Sequence, residues 1–331
     1  MTREAASLVE SFRTGSTFSL PAVLRSLSLS PEDVFQAAGV DFALYRHPNN
    51  RIAAADLGRL FTLVSQMTGR GDIGLLIADT FRPADLGLVG ELAAEGPTVE
   101  TALRNLVRLL RYNTLAGYPT FSTAGTSAML GFDLRHCDFV GSNFVLEGAT
   151  GMSFRFMQWL CGKSWRPDEI HFSRRAPSDL QPFHQFFGVP VRFSATEDAV
   201  LFSADWLKRH VAREEHRQKE KRLEIAAAPF SELVRRAVAI RLGFGQVDAQ
   251  PLANMLGVSE RQLFRRLKAE GTTCRQVVDD VKFSRARHLL QAGDAPIAAI
   301  AFALGYADQS AFTRAFARWS GLAPNEWRRL H

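Results

Sequence analysis

Cysteine is scarce: the chain has three, Cys137, Cys161 and Cys274, far apart and in no CxxC pair. An odd, scattered set argues against a disulfide framework or a zinc knuckle and predicts a reducing, cytoplasmic setting. Long apolar runs are missing as well; none reaches the ~18 residues that signal a membrane span. The opening stretch MTREAASLVESF lacks the basic start and apolar core of a secretory leader, so neither export nor a membrane partner is expected. The first two-thirds holds no Gly-rich phosphate loop, no HExxH and no GxSxG. The eight histidines show no ligand spacing, and His184 in PFHQFFG reads as a turn residue. No metal or cofactor is predicted. A catalytic reading of that region would need a nucleophile–base pair or a metal cluster, and local spacing supplies neither.

What is present is an ordinary globular composition, 46% hydrophobic and 22% charged, with a mean hydropathy of −0.07. At roughly 150 residues per domain, 331 residues predict two domains. The net charge of +6 is unevenly spread: residues 1–204 carry −2 and residues 205–331 carry +8. A basic terminal third on a near-neutral body points to a polyanionic partner for one domain, with a merely solvated basic face as the open alternative.

Residues 1–204 read as an α+β domain. Leu57, Leu60, Phe61, Val64 and Met67 recur at helical spacing within Ala53–Thr68, and Gly69 follows as a stop. Thr98 caps a stripe of Ala102, Leu106, Leu109 and Leu110. After Gly117 the period changes to two, and PTFSTAG with SAMLGFDL predicts a hairpin turning at Ala124-Gly125. A helix is expected over Asn143–Leu160, then short strands at EIHFS, VPVRFS and AVLFS. Residues 205–226, dense in both charge signs, read as a linker helix or equally as a surface helix of the first domain. The terminal domain is placed at 227–331.

That last region contains a weak repeat. LANMLGVSERQLFRRL (252–267) aligns with IAFALGYADQSAFTRA (300–315), pairing Ala253 with Ala301, Leu256 with Leu304, Gly257 with Gly305 and Phe264 with Phe312. Two short helices crossing steeply need a small residue at the crossing and a glycine free to take positive φ at the turn. Ser259 with Gln262 forms a capping box for one second helix, and Asp308 caps the other. Leu263, Phe264 and Leu267, and Ala311, Phe312 and Phe316, are expected to pack inward. This predicts an all-α domain with helix-turn-helix units near 249–270 and 297–319, joined by a long helix through Val277–Leu290. The outward residues suit the major groove, where Arg pairs with guanine, Gln with adenine, and Thr with a base edge or a thymine methyl. Base readout is assigned to Glu260, Arg261, Gln262, Arg265, Gln309, Ser310 and Thr313. Phosphate contact is assigned to Ser259, Arg266, Lys282, Arg285, Arg314 and Arg318.

These residues resemble the AraC/XylS family of bacterial transcription regulators, over roughly Pro229–Arg329. IAAIAFALGYADQSAFTRAFARWSGLAPNEWRR is close to that family's signature, with Trp327 where many relatives carry Tyr or Phe. The resemblance implies a seven-helix DNA-binding domain, reading helices at Glu260–Ala269 and Gln309–Trp319, and no catalysis. Its implied partners are double-stranded promoter DNA, RNA polymerase and a second copy of the chain. The first two-thirds does not look like a sugar-binding cupin barrel. LGLVGELAAEGPTVETALRNLVRLLRYNT with FHQFFGVPVRFSATEDAVLFSADWL looks more like the effector domain of the ornithine-utilisation regulator subgroup. That implies a small-molecule effector and activation of a catabolic operon of the amine or amino-acid type, or else a domain that only dimerises or contacts polymerase. Tyr112, Asn113, Arg135, Asn143, Arg155 and Trp159 are the candidate effector-pocket residues, each equally explicable as hydrogen-bonded structure.

Overall fold

The structure, a computed structural model, describes residues 10–94, 96–134, 139–162, 164–212, 229–242, 247–291 and 295–330. The chain divides into two units, Met1–Glu220 and Lys221–His331.

The first unit opens with strand β1 (Ser11–Arg13), followed by helices α1 (Leu20–Ser26) and α2 (Pro31–Ala37). Strand β2 (Arg51–Ala53) returns antiparallel to β1. Helices α3 (Ala54–Thr68), α4 (Ile73–Thr80), α5 (Leu88–Ala94) and α6 (Val99–Leu110) come next. Helix α3 matches its apolar stripe: Leu57, Leu60, Phe61 and Val64 are buried, and Gly69 ends it at φ +68°. Met67, expected on that stripe, is exposed. Helix α6 begins where the Thr98 hydroxyl accepts the Thr101 amide at 3.3 Å.

The hairpin is β3 (Gly117–Ala124) with β4 (Ser127–Leu134). Its turn is Gly125-Thr126, one residue later than expected, with Gly125 at φ +60°. Helix α7 (Ser142–Cys161), β5 (Glu169–Phe172), α8 (Gln181–Phe187), β6 (Val191–Phe193) and β7 (Ala199–Ser203) complete the unit. The sheet order is β3-β4-β7-β5-β6, open at β3 and β6, with only β5 and β6 parallel. The phenylalanines are mostly core. Phe154, Phe172, Phe183, Phe187 and Phe202 are buried; Trp165 meets the Phe154 and Phe202 rings at 5.7 and 6.1 Å, and Phe154 meets Phe187 at 5.1 Å.

Where it is described, the expected linker helix is not α-helical. Ala204–Lys208 is a 3-10 turn capped by Ser203, and His210 bridges to Thr98 beside α6. Leu207 and Val211 are buried, so apolar anchoring holds this stretch to the first unit through residue 212. The rest of the expected linker lies outside the described residues.

The second unit consists, among the described residues, of seven helices: α9 (Phe230–Leu242), α10 (Ala249–Met255), α11 (Glu260–Ala269), α12 (Cys274–Gln291), α13 (Ile297–Ala303), α14 (Gln309–Ser320) and α15 (Pro324–Leu330). Helix α12 packs against α9, α11, α13, α14 and α15. The start of α9 is held by a distant carboxylate. Glu270 accepts the backbone amides of Phe230 at 2.5 Å and Ser231 at 2.8 Å.

Helices α4 and α7 cross at glycine. A Cβ on Gly74 would stand 2.3 Å from the Phe144 carbonyl oxygen, and one on Gly151 would meet Ala78 at 2.5 Å. This approach brings the fully buried Glu147 of α7 to the Leu75 amide at 3.2 Å, and Arg174 to its other oxygen at 2.6 Å. Burial pushes the Glu147 carboxyl up to about 8, against the opposing pull of Arg174 and the Leu75 amide. An acid raised above its ordinary 4.5 contributes stability that is fully present below that value and is lost as pH rises toward about 8. Glu147→Gln should therefore flatten the fall in Tm of the first unit between roughly pH 5 and pH 8. Arg174→Ala should cost more at the upper end of that window, where its partner is ionised. Calorimetric melts across the range check both; an unaltered pH slope in Glu147→Gln would remove the assignment.

Candidate nucleic-acid interface and ligand cavity

Each repeat copy is a helix-turn-helix. Ala253 of α10 and Ala301 of α13 are buried at the crossings, and Gly257 and Gly305 make the turns at φ +68° and +73°. The Ser259 hydroxyl accepts the Gln262 amide at 3.2 Å while the Gln262 side-chain oxygen accepts the Ser259 amide at 2.9 Å. Asp308 accepts the Ala311 amide at 2.7 Å. Both predicted caps are formed, so both second helices start at the predicted residues.

Helix α11 buries only Leu263 and Leu267, one turn apart. Arg261, Gln262, Arg265 and Arg266 are exposed and Glu260 is half-buried. Phe264, expected inward, is 47% exposed. It lies about 100° round the helix from Leu263, beyond the two-leucine seam, so an apolar ring shares the outer face with Arg261 and Arg265. Gln262 has two demands on it: its oxygen is spent on the cap, whereas bidentate reading of adenine needs that oxygen as well. Helix α14 buries Phe312, Ala315 and Phe316. Gln309, Ser310 and Arg314 are exposed, and Ala311 and Thr313 half-buried.

The residues assigned to phosphate sort differently. Ser259 and Arg314 are exposed on the flanks of the two second helices. Arg266 lays its guanidinium 3.8 Å over the Phe230 ring, and Arg318 pairs with Asp279 of α12 at 3.0 Å. Arg285 is half-buried. Lys282 is a correction. It is 8% exposed, with its ammonium 4.2 Å from the Tyr306 ring centre, and burial pushes its pKa down against the opposing pull of Asp279 and Asp248. It lies one turn from Ala286 and two from Leu290 on the buried stripe of α12, and so serves packing rather than a phosphate.

The first unit contains an apolar cavity of about 100 Å³ between the faces of α3, α4, α6 and α7 and the β3–β4 hairpin. Phe61, Leu106, Phe132, Met152 and Phe156 are among its walls, and among the described residues no Asp, Glu, Lys, Arg or His lines it. Of the five candidate pocket residues that are described, only Asn113 does. Tyr112 is buried against Arg111. Arg155 pairs with Asp79 and stacks 4.4 Å from the Phe186 ring. Trp159 packs on Phe156, Asn143 is half-buried at the start of α7, and Arg135 lies outside the described residues. Among the described residues no group of His, Cys, Asp or Glu is placed to hold a metal, and no helix is long and apolar enough to cross a membrane.

Residues 29–211 match the model of the arabinose-binding N-terminal domain of AraC transcription regulators, and residues 252–330 match a helix-turn-helix domain. The chain belongs to the AraC family of transcription regulators. As an AraC-family member it is a DNA-binding regulator and not an enzyme. It is 25% identical to the ornithine utilization regulator of Pseudomonas aeruginosa over 313 residues, 91% of each chain. It is 28% identical to the transcriptional regulator VirS of Mycobacterium tuberculosis over 270 residues, 78% of each chain. The crystal structure of the regulator CdpR from Pseudomonas aeruginosa aligns over 92% of this chain and 97% of that one, with 21% identity and a TM-score of 0.41.

Lys282→Met keeps the stem and removes the desolvated charge, so it should leave the urea midpoint unchanged or raise it. Lys282→Ala should lower stability by about 1–2 kcal/mol through lost packing. A lysine that points to solvent would give no difference between the two variants.

Proposed function

We propose that this AraC-family regulator is a cytoplasmic, effector-responsive activator that reads promoter half-sites with α11 and α14 while its first unit senses a small molecule. The observation that carries the reading is the pairing of two capped second helices on one seven-helix core, each turning Arg, Gln, Ser or Thr outward. Rigid units of this kind suit successive major grooves on one face of a duplex, about 34 Å apart. Arg261 and Arg265 are the guanine readers of α11, with Phe264 offered to a thymine methyl. Gln309, Ser310 and Thr313 read from α14, and Glu260 and Gln262 frame the cap. Ser259 and Arg314 touch phosphate, and Arg266, Arg285 and Arg318 reach it only by leaving their present packing.

Dimerisation, contact with RNA polymerase and activation belong to the same proposal; the family resemblance supports them. Control of a catabolic operon rests on the relative named for ornithine utilisation.

Genomic footprinting with the full chain, followed by salt titrations on the recovered operator, tests the reading. Arg265→Ala should cost about 1–3 kcal/mol and relax one operator position. Arg314→Ala should weaken all sequences alike and reduce the salt slope by about one. Unchanged affinity and base preference in Arg265→Ala would take that residue off the reading face, and no footprint anywhere would overturn the proposal.

A further inference from the structure

The walls of the cavity in the first unit follow the period of the elements that supply them. Helix α3 lends Leu57 and Phe61, α4 and the residue after it lend Ile77 and Phe81, and α6 lends Leu106 and Leu110, each pair four residues apart. The hairpin lends Pro119 from β3 and Leu130 and Phe132 from β4, all buried. Helix α7 lends one continuous face: Val145, Gly148, Ala149, Met152, Ser153 and Phe156. Three of those six are small, and the space lies where large apolar pairs from the other walls meet Gly148, Ala149 and Ser153. Other positions of α7 are spent on α4 and beyond, with Gly151 against Ala78 and Glu147 on the Leu75 amide and Arg174.

The chemistry of the walls limits the guest. Among the described residues the polar lining is neutral: Ser16, Thr17, Asn113, Thr114 and Ser153. Ser16 and Ser153 donate to the Arg13 and Ala149 carbonyls at 3.3 and 2.9 Å and keep acceptor lone pairs. They tolerate a polar atom on a guest and do not require one. An ammonium or carboxylate would be desolvated with no opposite charge among these walls. A sugar, with a hydroxyl on nearly every carbon, would turn most of them onto hydrocarbon. A cavity with mainly apolar walls favours an apolar guest over water, and about 100 Å³ is on the scale of a single ring or a short alkyl chain.

Two of the walls also hold the end of the unit. The amide of Val99, the first residue of α6, donates to the Arg209 carbonyl at 3.0 Å, and the Val211 amide donates to the Pro97 carbonyl at 3.4 Å. The Ala212 amide donates to the carbonyl of Leu160 in α7 at 2.8 Å. Residues 209–212, which lead along the chain toward the second unit, are thus fastened to the two helices that a guest would touch through Leu106, Leu110, Ala149 and Met152.

We propose that this cavity is the effector site and that its ligand is an uncharged, apolar molecule of about one ring, held between α6 and α7. The proposal rests on the effector-responsive reading and names its ligand class: neither the amine or amino acid expected from the subgroup nor the sugar in the description of the matching domain model suits these walls.

The test is titration of the full chain, followed by calorimetry and by Tm, with toluene, with benzoate and benzylamine as charged versions of the same ring, and with ornithine and arabinose. Toluene should bind saturably and raise Tm. Benzoate and benzylamine should bind about a hundredfold more weakly or worse, and ornithine and arabinose should not bind. Toluene should also slow hydrogen exchange at the Val99, Val211 and Ala212 amides. Ala149→Phe should fill the space and abolish toluene binding, and the milder Ala149→Leu should raise its Kd roughly tenfold. The ranking of ligands on the wild type depends on neither variant folding. Benzoate or benzylamine binding as tightly as toluene, saturable binding of ornithine or arabinose, or no binding of toluene would each overturn the ligand class. Toluene binding that survives in a folded Ala149→Phe would move the site out of this cavity, and binding with unchanged exchange at those three amides would remove its effector role. Footprinting on the same preparation separates these failures from that of the DNA reading. An intact footprint without toluene binding removes the ligand class alone, and toluene binding without a footprint removes the DNA-reading proposal alone.

Discussion

Burial along helix α12 is the constraint on which the second unit depends. Cys274, Val277, Lys282, Ala286 and Leu290 are its buried residues, and the helix touches α9 and α11 of one half and α13, α14 and α15 of the other. Neither helix-turn-helix has enough apolar surface to stand alone: α10 and α13 are seven residues each, and α11 buries two leucines. The shared helix turns two marginal pairs into one core. Around its second half Ala286, Leu290, Ile300, Phe312, Phe316 and Trp327 form a single cluster. A charge on that stripe is tolerated because the Lys282 stem packs like a hydrophobe while its ammonium rests on Tyr306.

The turns, caps and second-helix starts of the second unit were legible from its sequence, and the reasons are local. Caps, turn glycines and crossing alanines act within four or five positions, so Ser259, Gly257, Ala253 and their counterparts announce themselves. Phe264 was misplaced because the repeat pairs it with Phe312, which is buried. Helix α14 has a longer buried face than α11, and equivalent positions do not face equivalent surroundings. Lys282 was misplaced because residue type was given more weight than the four-residue spacing to Ala286 and Leu290.

The first unit was legible as elements but not as an arrangement. Helix α3, helix α6, the hairpin and three strands were readable from period and cap. The short pieces β1, β2, α1, α2, α5 and α8 were not, because three to seven residues carry too little periodicity. Nothing local shows that β7 inserts between β4 and β5, since that order is a matter of long-range pairing. Of the described candidate pocket residues, Asn113 alone lines the cavity, for a related reason. Arg155 and Tyr112 were chosen as polar residues in apolar company, yet each meets a partner from its own surroundings. Asn113 is held by backbone partners as well, and its place beside the cavity becomes visible when every neighbour is in place.

Glu270 joins two parts of the second unit that are far apart in the chain. Its carboxylate grips the amides of Phe230 and Ser231, its hydrogen bonds with them hold it below the usual carboxylate range despite some opposing burial, and Arg266 clamps the same Phe230 ring from α11. The first described turn of the unit is thus fastened to the far end of the helix that carries Arg261 and Arg265. A displacement of the backbone at Pro229 therefore meets two side chains of that region, one polar and one stacked.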